Sequence, residues 1–132
     1  MSSLYARTVF FVSDAERALR FYKEELGFAQ DWSYPEGGRA YVCQVSLLGF
    51  EPILNQTDAD NASKAGQGRL FIGLEDEQGE PLLKHLQALA VHPERLEWGR
   101  PTMVIKDPDG NEMFFWVPKN DWSRLDPPAA RP

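Results

Sequence analysis

Arg7 and Arg69 stand at the same place in a duplicated pattern. Arg7 opens the run Arg7-Thr8-Val9-Phe10-Phe11-Val12, seven residues before Asp14, and Arg69 opens Arg69-Leu70-Phe71-Ile72-Gly73-Leu74, seven residues before Asp76. A guanidinium keeps its proton in proteins and presents a planar fork of donors, so two of them can clamp an anionic group through parallel hydrogen bonds. The alternative is that carboxylates such as Glu51 or Glu112 neutralise them, or that they lie at exposed strand ends. Side chains two apart on a strand share a face. That aligns Arg7, Val9 and Phe11 on the first strand, Arg69, Phe71 and Gly73 on its repeat, and Glu112, Phe114 and Trp116 on the final strand. Aromatics with a few polar anchors are the usual lining of a small-molecule site. Phe114 and Trp116 either fill a core or stack on a planar ligand or on arginine.

The elements that must position these residues come as two copies of one β-α-β unit, and an internal repeat constrains the fold before any other signal. In the first copy Asp14 is a suitable N-cap, and Ala15, Ala18, Leu19, Tyr22 and Leu26 fall on one helical face. Gly27 closes the helix because it can take positive φ. Residues 41–48 and 50–56 read as strands joined by a tight turn at Gly49. Pro52 argues for an edge position or a bulge in the second of them, since it cannot donate to a ladder. In the second copy Gly79 marks a turn, and Pro81 opens a helix burying Leu82, Leu83, Leu86 and Leu89. Asp107-Pro108-Asp109-Gly110 joins strands 103–106 and 112–117 as a hairpin.

At 132 residues and 42% apolar content the chain supports one domain with a real core, and two separate half-domains of this size would be unstable. The expected organisation is a single domain over 1–118, with module one at about 4–57, a linker at about 58–67, module two at about 68–118, and a loosely held tail at 119–132. A net charge of -6 disfavours nonspecific nucleic-acid or anionic-membrane binding. The single cysteine, Cys43, cannot form an internal disulfide, and it reads as a buried small residue rather than a nucleophile. The start lacks a signal-peptide layout and no apolar run is long enough to span a bilayer, so a cytoplasmic protein is expected.

Residues 9–28, with Phe21-Tyr22 and Leu26-Gly27-Phe28, and the stretch from Trp98-Gly99 through Asp107-Pro108-Asp109-Gly110-Asn111 resemble the glyoxalase/bleomycin-resistance family of the vicinal oxygen chelate superfamily. The likeness spans roughly residues 4–118. It implies an α+β fold of two βαβββ modules whose curved mixed sheets surround a cavity, commonly in a homodimer. Many members hold a divalent metal with His, Gln or Glu on the first and last strands of each module. Carried over, the first-strand positions are Arg7 and Arg69. The last-strand position is Phe114 in module two and Ile53 in module one, or Glu51 or Asn55 if the turn is shifted by about two residues. Arginine has no lone pair for a metal, so no metal and no cofactor are expected, with Glu51 the one weak candidate ligand. His85 and His92 lie on or just after the second helix, away from the cavity.

Three readings follow. The leading one is a metal-independent small-molecule binding protein of the bleomycin-resistance type, a homodimer that sequesters an aromatic or amphipathic compound. Its ligand-binding residues are Arg7, Phe11, Asn55, Arg69, Phe71, Phe114 and Trp116, with Trp98 at the rim. The second is a lyase, isomerase or dioxygenase of the same superfamily, with a relocated metal or none. The third is a regulatory or structural dimer with a filled cavity. The acidic chain suits a cationic ligand and the paired arginines suit an anionic one.

Overall fold

A computed structural model describes residues 4–97 and 101–118. Two four-stranded sheets are built on one plan. The first has the order β1-β4-β3-β2 and the second β5-β8-β7-β6. Their strands are β1 Val9–Val12, β2 Ala29–Glu36, β3 Arg39–Ser46, β4 Ile53–Gln56, β5 Arg69–Gly73, β6 Glu94–Glu97, β7 Pro101–Lys106 and β8 Glu112–Trp116. In each sheet the first strand pairs parallel with the last and the other pairs are antiparallel. This is the α+β arrangement of two βαβββ modules.

Helix α1 spans Ala15–Arg20 and widens into a π-helical turn over Phe21–Glu25. Asp14 caps it by accepting from the Arg17 N–H, and that bond lowers the Asp14 carboxyl below its usual value. Helix α2 spans Asp76–Ala88 and starts earlier than Pro81 suggests. Glu75 and Gln78 form a reciprocal capping box that outweighs the proline signal, so Gly79 and Pro81 lie inside the helix. Leu82, Leu83 and Leu86 are buried, whereas Leu89, at the C-cap, is exposed.

Pro52 has a different role from the edge or bulge position its ring suggests. It sits just before β4, which is a central strand, and its carbonyl accepts from the Val45 N–H at 3.2 Å, so no ladder donor is lost. Leu48 and Gly49 both take positive φ between the paired Leu47 and Phe50, which is the twist a two-residue hairpin needs.

One core joins the modules. Phe10, Val12, Cys43, Val45 and Leu54 from the first sheet, Met103, Ile105, Met113, Phe115 and Val117 from the second, and both helices form one buried cluster. Alternation therefore turns Arg7, Val9, Phe11, Arg69, Phe71, Phe114 and Trp116 to the opposite faces. Burial, with a smaller contribution from Glu16, pushes the Cys43 thiol up to about 11, so it is protonated at neutral pH and unsuited to nucleophilic chemistry.

The Asp107-Pro-Asp-Gly-Asn111 turn also bolts the modules together. Asn111 is fully buried, donates to the Phe11 carbonyl at 3.0 Å and accepts from the Gly68 N–H at 2.8 Å. Asp107 Oδ1 accepts three backbone N–H groups of its own turn, while Oδ2 accepts from Asn111 and from the buried Tyr22 hydroxyl. Burial raises the Asp107 carboxyl against those hydrogen bonds, and burial together with the Asp107 charge raises the Tyr22 phenol further. Asp109 accepts from the Ser13 N–H and hydroxyl at 3.1 and 2.6 Å.

Candidate functional site

The face of each sheet turned away from the shared core is a grid of cross-strand rows, because directly paired residues point the same way. On sheet one the pairings give Val9-Ile53-Gln44-Trp32 and Phe11-Asn55-Val42-Tyr34. On sheet two they give Phe71-Phe114-Val104-Glu94 and Gly73-Trp116-Thr102-Leu96. Val9 pairs with Ile53 as Phe71 pairs with Phe114, so Ile53 is the counterpart of Phe114. Glu51 is then the counterpart of Glu112.

That equivalence exposes a duplicated ion pair. Arg7 Nη2 lies 3.1 Å from Glu51 Oε1, and Arg69 Nε lies 3.1 Å from Glu112 Oε1. Each arginine is bound to a glutamate of its own sheet, as the neutralised alternative has it. Arg7 also lies over the Tyr5 ring at 4.3 Å, and Arg69 over the Phe114 ring at 4.9 Å. Glu51 accepts from Gln44 Nε2 at 3.2 Å, and Lys106 stands 3.8 Å from Glu112. The grid places Phe11 beside Asn55, and Lys64 approaches the Phe11 ring at 5.6 Å. Phe71 and Trp116 meet at 5.9 Å, with Phe71 54% exposed. Phe114 is buried at 4%. Trp98 lies outside the described residues.

The sequence model of the Glyoxalase/Bleomycin resistance protein/Dioxygenase superfamily matches residues 5–115. The chain belongs to this superfamily. No curated protein matches it by sequence. Among solved structures, the bleomycin-binding protein of Streptomyces verticillus, crystallised with copper(II)-bleomycin, is 18% identical with a TM-score of 0.63, over 90% of this chain and 99% of that one. TnmS3, an antibiotic binding protein of Streptomyces sp. CB03234, is 27% identical with a TM-score of 0.56, over 90% and 100%. The lactoylglutathione lyase of Agrobacterium tumefaciens is 20% identical with a TM-score of 0.55, over 86% and 92%. The fold is thus shared by binding proteins and an enzyme, and fold alone does not separate them.

The glyoxalase-type metal does not fit the residues in this chain. The positions that the family resemblance assigns to its ligands hold Arg7, Arg69, Ile53 and Phe114, none of which has a lone pair to give. Glu51, two residues from Ile53, is already bound to Arg7 and Gln44. Among the described residues no group of three His, Cys, Asp or Glu side chains is arranged to hold a metal. His85 faces elsewhere, its Nε2 2.8 Å from the Leu26 carbonyl between the helices.

Sequence reasoning missed the contribution of β2. Its eight residues are all exposed, so no burial alternation marks the strand. A register shift between Gln30 and Trp32 sets Asp31 in a bulge, which turns its carboxylate to the same face as Trp32. There it accepts from Gln44 Nε2 and Ser46 Oγ, each at 2.9 Å. The legible signals were Gly37-Gly38, both at positive φ, closing a hairpin between Glu36 and Arg39.

Proposed function

We propose that this chain is a metal-independent small-molecule binding protein of the antibiotic-binding type, which holds an aromatic or amphipathic compound against the outward grids of its sheets. The observation that carries this reading is the duplicated Arg–Glu pair, whose arginines stand at the first-strand positions that the family resemblance assigns to metal ligands. Each pair substitutes a closed, neutral contact for a Lewis acid and leaves the surrounding aromatics as the interaction surface. The similarity to TnmS3, the most identical of the three structures described, supports a binding role over a lyase role. Phe11 and Asn55 contribute from sheet one and Phe71, Phe114 and Trp116 from sheet two, with Arg7 and Arg69 held beside them by Glu51 and Glu112. Elemental analysis after dialysis against zinc, nickel, manganese and iron is expected to find well under one metal per chain. A full equivalent that disappears in Glu51→Ala would overturn metal independence.

The functional unit is a homodimer. β2 presents an unpaired edge that a second copy covers. The interface is expected to bury more than about 1,000 Å² in total. Light scattering at micromolar concentration tests this, and a monomeric mass would remove the dimer from the proposal. No helix among the described residues is long and apolar enough to cross a membrane.

A further inference from the structure

The two grids differ in the aromatics and charge they expose at the edge strand, and the difference bears on which ligand is taken. On sheet two the central positions are already filled. Phe114, Val104 and Thr102 are buried, and Arg69 lies over the Phe114 ring. On sheet one Gln44 is buried too, but β2 carries two exposed aromatics, Trp32 at 43% and Tyr34 at 59%, where sheet two has Glu94 and Leu96. Neither Trp32 nor Tyr34 packs on another aromatic ring among the described residues. Trp32 and Tyr34 are two residues apart on one strand face, which separates them by roughly 6.5–7 Å along the strand. A flat aromatic ring needs about 3.5 Å to each neighbour. That spacing matches one inserted ring.

The charge beside this gap is negative. Glu51 and Glu112 each hold an arginine, but Asp31 holds two neutral donors, Gln44 and Ser46, and no cation among the described residues. Those donors fix the carboxylate in place without cancelling its charge, and each oxygen keeps acceptor capacity. The bulge brings this fixed charge to the Trp32 side of the face, where a cation would gain from the carboxylate and from the indole ring together. The nearby guanidinium, Arg7, pairs with Glu51 through Nη2, and its buried Nε has no partner among the described residues. Lys64 sits at the opposite edge, over Phe11.

We propose that the sheet-one face is a subsite for a planar aromatic group bearing a positive charge, with the ring between Trp32 and Tyr34 and the cation at Asp31. This rests on the small-molecule binding reading above and names its ligand class. It assigns specificity to three residues of β2 rather than to Arg7 and Arg69.

The test uses two flat tricyclic probes of opposite charge, 9-aminoacridine, a cation at neutral pH, and anthracene-9-carboxylate, an anion. Calorimetric titration of the full chain is expected to give at least tenfold tighter binding of the aminoacridine. Asp31→Asn, a conservative change at an exposed position, should erase that preference by weakening the cation, while the anion, relieved of a repelling carboxylate, binds no more weakly than before. Trp32→Ala should weaken both probes about tenfold, and circular dichroism should show the fold retained in each variant. Equal or tighter binding of the anion, or an unchanged ratio in Asp31→Asn, overturns the subsite. If the anion binds tightly and Arg69→Ala abolishes it, the cation subsite is wrong and the binding function stands with the arginines as anchors. If neither probe binds at millimolar concentration, both the subsite and the function it rests on fall.

Discussion

Asn111→Leu is expected to cost about 3 kcal/mol of stability, although leucine is close to asparagine in size. The buried amide donates to the Phe11 carbonyl and to Asp107, and it accepts from the Gly68 N–H. Leucine removes all three bonds. A net hydrogen bond contributes about 1 kcal/mol, and a buried donor left without an acceptor costs about 1–3 kcal/mol, here the Gly68 N–H. The Phe11 carbonyl suffers less because it still accepts from the Gly66 N–H at 3.1 Å. These contacts join the module-two hairpin to the first strand of module one, so the modules should unfold as one unit. Urea denaturation followed by tryptophan fluorescence and by circular dichroism should give coincident curves, with the variant midpoint shifted down. A loss below about 1 kcal/mol, or two separated transitions in the unmodified protein, would contradict the bolt.

This bolt shows why only part of the structure was legible in the sequence. The turn itself could be read from Asp107-Pro-Asp-Gly because its chemistry is local: a carboxylate accepting nearby N–H groups and a glycine at positive φ. Its partners in the other module, Tyr22, Ser13 and Phe11, lie some 85 to 100 residues away and carry no sequence mark of the contact. The faces of β1, β5 and β8 were readable because side chains two apart share a face and the family resemblance assigns one set to the cavity. On the fully exposed β2 that pattern is absent, so Asp31, Trp32 and Tyr34 were invisible as site residues. The proline at position 81 misled for a different reason. A capping box two turns upstream is a tertiary-independent signal too, and Glu75 with Gln78 was the stronger of the two. The Arg–Glu pairs stood open in the sequence as one alternative, with Glu51 and Glu112 as the carboxylates, and the strand register that sets Val9 opposite Ile53 and Phe71 opposite Phe114 brings them together.

Gly66→Ala is expected to be among the most damaging single changes in the chain, at about 3 kcal/mol or more. Gly66 has φ +77, a left-handed conformation that costs a residue with a Cβ about 1–2 kcal/mol. Its added Cβ would also fall onto the Asp109 carbonyl, a backbone group that cannot swing aside like a side chain. Relieving an overpacked contact of this kind adds about 1–3 kcal/mol. Gly38→Ala is the control that separates the two terms. Gly38 has nearly the same φ, +76, but an added Cβ there meets nothing within 4 Å, so it should cost only the conformational part. The damage at Gly66 should reach the site as well. Its N–H holds the Phe11 carbonyl, and the Phe11 ring lies on the sheet-one grid beside Asn55. Chemical denaturation of the two variants, paired with titration by 9-aminoacridine, reads both effects. Equal destabilisation of Gly66→Ala and Gly38→Ala would mean that the segment between the modules yields freely and that strain there is not transmitted to β1.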